Sequence, residues 1–352
     1  MSSNNIDFLK KCFRWYYFNY QKKIKLPYRF REREFGYKDF NGIMHRHISI
    51  NTEKEFFALL LKEIPRSIYY SVSFYEYPYL PMDQKNWKGS DLVFDIDLKD
   101  LTTKCRNHHD FWFCRDCHAY GSLPAPKNCL YCNSGNIQKY EWICEKCMEM
   151  LKKEVVKLVD MLEMDLGINR KNIKVYFSGN VGFHISVEET VFENFSQKER
   201  IEIVDYLTLR GMDLNTIKRS LSFFTEVPSL LTKRIRKLYD AIINSKIDSM
   251  DEIGVKIDPV VTIDLHRIFR MPYSLHDESG LMKKEVDIED CDPLSESVVF
   301  SDEKVKIFVY YSPSIKIMGQ TYRSFKRESI NIPLYLAVYL VAKGLAVVKR
   351  KC

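Results

Sequence analysis

The sequence predicts an α/β (α+β) fold, and three observations predict it. Several stretches repeat apolar residues at helical spacing, others alternate them at strand spacing, and the stretch from Cys105 to Cys147 follows neither period. At 352 residues the chain can bury a substantial core, as one large domain with insertions or as two smaller ones.

The first helix is expected from Ile6 to Tyr20, where Ile6, Leu9, Phe13, Tyr17 and Tyr20 share a face. Thr52 with Glu55 resembles a capping box opening a second helix, which Pro65 stops. Tyr69 to Tyr75 and Leu92 to Leu98 read as strands. A helix resumes at Met148, with Leu151, Val155, Leu158 and Leu162 on its face. Ser196 and Glu199 form another capping pattern, with Gly211 as the stop. From Met212 to Lys256 the chain reads as helical and charged. Its basic run Lys233, Arg234, Arg236, Lys237 is either a solvated face or a DNA-contacting patch. Ile332 to Val348 is strongly apolar but interrupted by Lys343 and Gly344, so it reads as a buried helix and strand rather than a membrane span.

Lys and Arg outnumber Asp and Glu by 54 to 47, a net charge of +7, which is compatible with nucleic-acid binding and decides little by itself. The start, MSSNNIDFLK, shows no basic segment followed by an apolar one, so no secretory signal is expected. With that, a reducing compartment is expected, and the ten cysteines point to metal rather than disulfides.

Three segments carry chemistry. In Gly89 to Leu98, strand alternation puts Leu92, Phe94, Ile96 and Leu98 on one face and Asp91, Val93, Asp95 and Asp97 on the other. Asp95 and Asp97, roughly 7 Å apart along one strand face, repel unless a cation lies between them, and such hard oxygen donors suit Mg²⁺ or Mn²⁺. A solvent-facing acidic edge is the plain alternative. Val260 to Arg267 has the same build and offers Asp264 as a third carboxylate on a strand, with Thr262 and His266 on its face. Three carboxylates can hold a two-metal site for in-line displacement at phosphorus. The third segment, Val175 to Val187, reads as two strands joined by the turn Ser178-Gly-Asn-Val-Gly182, whose backbone N–H groups can approach a phosphate. His184 and Ser186 share one face of its second strand.

The cysteines fall into Cys114-x-x-Cys117, Cys129-x-x-Cys132 and Cys144-x-x-Cys147, with eleven residues between successive pairs. Cys114, Cys117, Cys129 and Cys132 are the favoured ligands of a structural Zn²⁺. Cys105, His108 or His109, Cys144 and Cys147 can complete a second site, and a competing grouping joins Cys105 and one His to Cys114 and Cys117. Cys12, Cys291 and Cys352 stand apart as ordinary residues.

The run Trp87 to Asp97, then Ser178 to His184, then Val261 to Arg270 with Ser274-Leu-His276, resembles the three ordered motifs of the archaeal/eukaryotic-type DNA primase small (catalytic) subunit. Arg33-Glu34-Phe35 and Arg46-His47 resemble that family's early motif, and LYLAVYLVAKG its usual ending. The resemblance implies a two-layer primase-polymerase core of mixed sheets flanked by helices, formed by residues 1–104 and 148–352. A zinc-binding insert over 105–147 and a helical insert over about 196–256 interrupt it. It implies that Asp95, Asp97 and Asp264 bind catalytic metal. Ser178, His184, Arg270 and His276 would hold the triphosphate of the incoming nucleotide, and Glu34 and Arg46 the initiating nucleotide. It implies single-stranded DNA, nucleoside triphosphates and a primase large subunit as partners, and an intracellular, nucleoid-associated location. Relatives commonly carry Arg in place of Val181 and Lys in place of Glu278, so this chain has lost positive charge at both.

The expected function is template-directed synthesis of short primers on single-stranded DNA by two-metal phosphoryl transfer. A repair or translesion polymerase of the same superfamily shares the aspartates. A non-catalytic zinc-ribbon module that binds nucleic acid is the rival from another class.

Overall fold

The computed structural model describes residues 2–101, 103–221, 240 and 253–349. The α/β (α+β) expectation holds, and the sheets take one form: every strand pairing among the described residues is antiparallel. The basic run Lys233 to Lys237 lies outside the described residues.

The helix Ser3–Tyr20 is capped by Ser2, whose side chain accepts from the Asn5 amide, and it buries Leu9, Phe13, Tyr16 and Tyr17 against the C-terminal helix Leu334–Ala342. That C-terminal helix is apolar all round because it is enclosed all round: Tyr335 to Ala342 are all buried. No described helix is long and apolar enough to cross a membrane. In Glu53–Glu63 the Thr52 hydroxyl accepts from the Glu55 amide, while the Glu55 carboxylate turns back onto the Asn51 amide rather than that of Thr52.

Two four-stranded sheets position the site. One runs in the order Ile268–Arg270, Ser67–Ser71, Phe35–Lys38, Met44–Ile48; the other Lys284–Glu285, Ile173–Phe177, Gly182–Val187, Leu92–Asp97. The long helix Glu145–Met164 covers the second sheet with Leu151, Val155, Leu158 and Leu162. One continuous core joins these layers. The Cys-rich insert adds its own sheet, Tyr120–Ser122, Phe111–Cys114, Ile137–Tyr140, and a small apolar cluster of Trp112, Cys114, Ala119 and Cys129.

Three local expectations are corrected. Val260 to Arg267 is not a strand: Pro259–Ile263 is a short helix, capped by the Asp258 carboxylate on the Val260 amide, and Asp264 is its C-cap. An N-cap Asp followed by Pro at the first helical position outweighs the β-branched composition of Val-Val-Thr-Ile. The stretch Tyr69 to Tyr75 is split, since Ser73–Tyr75 leaves the first sheet to pair with Trp87–Ser90. The helix Gln197–Thr208 ends at Leu209, which takes a φ of 57°, two residues before Gly211.

Candidate active site and metal centres

Strand Leu92–Asp97 buries both faces, unlike a solvated acidic edge. Leu92, Phe94 and Ile96 face the core, and Asp91 and Asp95 are buried on the other side. Antiparallel register sets His184 opposite Asp95 and Gly182 opposite Asp97, which brings the hairpin of the Ser178 to Gly182 turn directly beside the paired carboxylates. His184 Nε2 lies 3.5 Å from Asp95 Oδ1. Burial pushes the Asp95 carboxyl well above its usual range, and the charge of Asp97 adds to this; burial raises Asp97 as well, against the nearby Lys99 ammonium. Asp95 Oδ1 is buried with no hydrogen-bond partner. A buried, unpartnered carboxylate oxygen beside a second carboxylate is a donor set that fits a hard divalent cation.

Asp264 approaches from its helix, which packs on this strand; the Asp258 amide donates to the Asp95 carbonyl at 2.9 Å. Asp264 Oδ1 accepts from the His266 amide, 2.9 Å away. The three carboxylates are not gathered within 4.8 Å of one another, as the ligand atoms of the two Cys-rich groups are.

Ser178 to Gly182 closes as a turn, with the Ser178 amide donating to the Gly182 carbonyl at 2.9 Å and the Ser178 hydroxyl accepting from Asn180. Gly179 holds a φ of 85°, and a Cβ there would meet the Leu281 carbonyl oxygen at 3.0 Å. Arg270 crosses from the other sheet and donates from Nη1 to the Ser178 carbonyl at 2.9 Å, while its Nε is buried without a partner. His276 is buried beside them, and burial drives its pKa well below the usual imidazole value, as it does for His184. The structure therefore brings Ser178, His184, Arg270 and His276 to one edge of the carboxylate pair.

Glu34 and Arg46 form a bidentate pair, with Nε to Oε1 at 2.8 Å and Nη2 to Oε2 at 3.1 Å. Lys85 lies 3.2 Å from the same carboxylate and the His47 amide donates to it; burial would raise Glu34, but these partners hold it below the usual carboxylate range. The Tyr75 phenol, pushed up to about 12 mainly by burial, feels the charges of Glu34, Arg46 and Asp264. Sequence reasoning missed Lys85, and also the buried ion pair of Arg33 with Asp91 at 2.7 Å. Neither carries a local signal, because each joins segments that meet only in the fold.

Val181 is buried, and its carbonyl accepts from Leu98. Glu278 is exposed. Of the two lysines near Glu278 in sequence, Lys284 pairs with Glu296 at 2.7 Å, and Lys283 donates to the Arg270 carbonyl with its pKa lowered to about 7 by burial.

The cysteines form two tetrads. Cys114, Cys117, Cys129 and Cys132 are one; Cys105, His109, Cys144 and Cys147 are the other. The competing grouping of Cys105 with Cys114 and Cys117 is not formed, and His109 rather than His108 joins the second tetrad. The reason is visible in its partner: His109 Nδ1 lies 2.9 Å from Asp110 Oδ1, which leaves Nε2 aimed at the thiols, 3.3 Å from Cys147 Sγ. Asp110 is itself fixed by Arg106 and the Trp142 amide. Both tetrads have the donor number and type of a closed tetrahedral site.

A family model described as DNA primase small subunit matches residues 136–288. The DNA primase small subunit PriS of Nitrosopumilus maritimus is 35% identical over 99% of this chain and 100% of its own length. That of Archaeoglobus fulgidus is 32% identical over 96% of this chain and 97% of its own. Among solved structures, the polymerase domain of Mycobacterium tuberculosis Ligase D in complex with DNA covers 79% of this chain and 81% of its own at a TM-score of 0.39 and 11% identity.

Proposed function

The chain belongs to the DNA primase small-subunit family, and from that premise we propose the following assignment of roles. The protein is the catalytic subunit of a DNA primase, a nucleotidyltransferase that makes primers on single-stranded DNA from nucleoside triphosphates. The observation that carries the reading is the register of the second sheet, in which the phosphate turn and His184 lie strand to strand against Asp95 and Asp97.

Asp95, Asp97 and Asp264 would hold Mg²⁺ or Mn²⁺, which when bound supplies positive charge that acidifies the attacking 3′-hydroxyl and steadies the charge developing at the α-phosphorus. Everything else falls to the chain. Ser178 to Gly182 offers backbone donors to the triphosphate, Arg270 adds a fixed guanidinium, and His276 adds a neutral N–H. His184 packs tilted on Phe269, 4.6 Å between ring centroids, which fixes its ring beside Asp95. Glu34 and Arg46, steadied by Lys85, would position the initiating nucleotide, so that the two reactants meet already oriented.

The two tetrads would hold structural Zn²⁺ and staple the 105–147 insert between the 1–104 and 148–352 parts of the core; the helical insert expected over about 196–256 lies partly outside the described residues. Single-stranded template, a primase large subunit and a nucleoid-associated, intracellular setting complete the reading. Nucleotide incorporation on a single-stranded template without a supplied primer tests it: product by the full chain supports it. Extension only of a supplied primer favours a repair or translesion polymerase, and binding without incorporation a zinc-ribbon module.

A further inference from the structure

A cavity of about 970 Å³ lies between the Cys-rich insert and the outer side of the phosphate turn, lined on the turn side by Asn180, Val181 and Glu278. This is within the size range of small-molecule sites, about 300–1,000 Å³. Its walls carry Lys38, Arg66, Arg115 and Lys343. Lys38 is neutralised by Asp277, 2.9 Å away. The other three meet neutral acceptors: Arg66 donates to the Asp277 carbonyl, Arg115 to the Gln138 amide oxygen and the Gly344 carbonyl, and Lys343 to Asn180 Oδ1 at 2.8 Å. Among the described residues none of the three has a carboxylate oxygen within 4.0 Å. Each is therefore hydrogen-bonded to a neutral acceptor rather than ion-paired, although the cavity is also lined by Glu141, which pairs with Arg106, and by Glu278, whose charge acts on Lys343.

The placement of Arg115 and Lys343 is built, not incidental. Lys343 is 5% exposed at the end of the C-terminal helix, directly behind the phosphate turn. Arg115, next to the ligand-type Cys114, reaches the same corner because residue 344 is glycine; a Cβ there would overlap Arg115 Nη1. The insert wall is held against the core by parallel stacking of His118 on Tyr310 and Tyr120 on Tyr311, with centroids 3.7 and 3.8 Å apart, and by the Tyr140 hydroxyl donating to the Lys343 carbonyl. A cavity that gathers three cations without ion-pair partners attracts a polyanion. Asn180 and Val181 of the Ser178 to Gly182 turn are part of its lining.

We propose that this chamber takes the terminal phosphates of the incoming nucleoside triphosphate, and that Lys343 and Arg115 contact them. The proposal rests on the nucleotide-binding reading of Ser178 to Gly182. It supplies, from the insert and the C-terminal helix, the positive charge that Asn180, Val181 and Glu278 do not.

The test is calorimetric titration of the full chain with inorganic tripolyphosphate and, separately, with a nucleoside monophosphate. Lys343→Met and Arg115→Gln should each weaken tripolyphosphate binding about tenfold, a loss of about 1.4 kcal/mol, with the monophosphate unaffected and Lys343→Arg restoring most of the affinity. If Lys343→Met does not fold, Arg115→Gln decides alone. Unchanged tripolyphosphate affinity in the variants, or none in the wild type, overturns the chamber. Primer-free incorporation by the wild type, measured alongside, separates this failure from failure of the primase reading.

Discussion

The backbone amide of Glu278 donates to Nδ1 of His276 across 3.0 Å. An Nδ1 that accepts carries no proton, so the neutral ring keeps its hydrogen on Nε2 and offers an uncharged donor. Since the amide makes this bond, the Glu278 side chain can be changed without disturbing the ring.

That separation isolates the charge of Glu278. Its exposed carboxylate stands at the rim of the basic chamber and acts on Lys343. Glu278→Lys should lower the KM for nucleotide several-fold, worth about 1 kcal/mol, with a smaller change in kcat, the pattern of altered ground-state binding. Steady-state kinetics at low salt measure this. An unchanged KM would put the side chain out of range of the phosphates.

Gly182 faces Asp97 across the strand pair, and a Cβ there would lie 2.7 Å from the Ile96 carbonyl oxygen and closer still to the Asp97 carboxylate. Gly182→Ala should therefore destabilise the fold by about 1–3 kcal/mol and displace Asp97. Denaturant unfolding and incorporation rate should fall together; wild-type stability would mean the strands separate freely here.

Two tetrads predict two zinc ions per chain. Cys129→Ser should lose one and disorder the small insert cluster, while Cys147→Ser should lose the other and loosen the first turn of Glu145–Met164, where Cys147 is buried. Elemental analysis of the purified variants checks both counts. Two ions retained in either variant would contradict the ligand sets.

Burial lowers the Lys343 pKa from 10.5 to about 8. Between those values the unfolded chain binds more protons than the native one, so the lysine destabilises the fold below about pH 8 and this penalty fades as pH rises towards 10.5. Lys343→Met should accordingly raise unfolding stability near pH 7 and by less near pH 10. An equal gain at both would show that no charge is buried there. A lysine kept at such a cost is expected where its charge has a use.

Much of the site was legible because its signals are local. Strand alternation placed Asp95 beside Asp97, the glycines marked the Ser178 to Gly182 turn, and the Cys-x-x-Cys spacing announced the two Cys-rich groups that could hold a metal. Misreading arose where two local signals compete: Val260 to Ile263 is β-branched, yet Asp258-Pro259 starts a helix, and giving the cap more weight would have found it. His108 and His109 cannot be told apart by spacing, although the Asp110 that follows is the partner that selects His109. Lys343 read only as a break in an apolar run, since its place behind Asn180 joins residues 163 apart in sequence.

The most direct test of the central claim is primer-free incorporation on single-stranded DNA by Asp95→Asn beside the wild type, with unfolding of both followed in parallel. Removing a buried carboxylate that repels its neighbour should leave stability equal or higher, while incorporation falls by at least about 100-fold because a metal ligand is lost. A stable Asp95→Asn protein that incorporates nucleotide at nearly the wild-type rate would contradict the assignment of this strand as the catalytic centre.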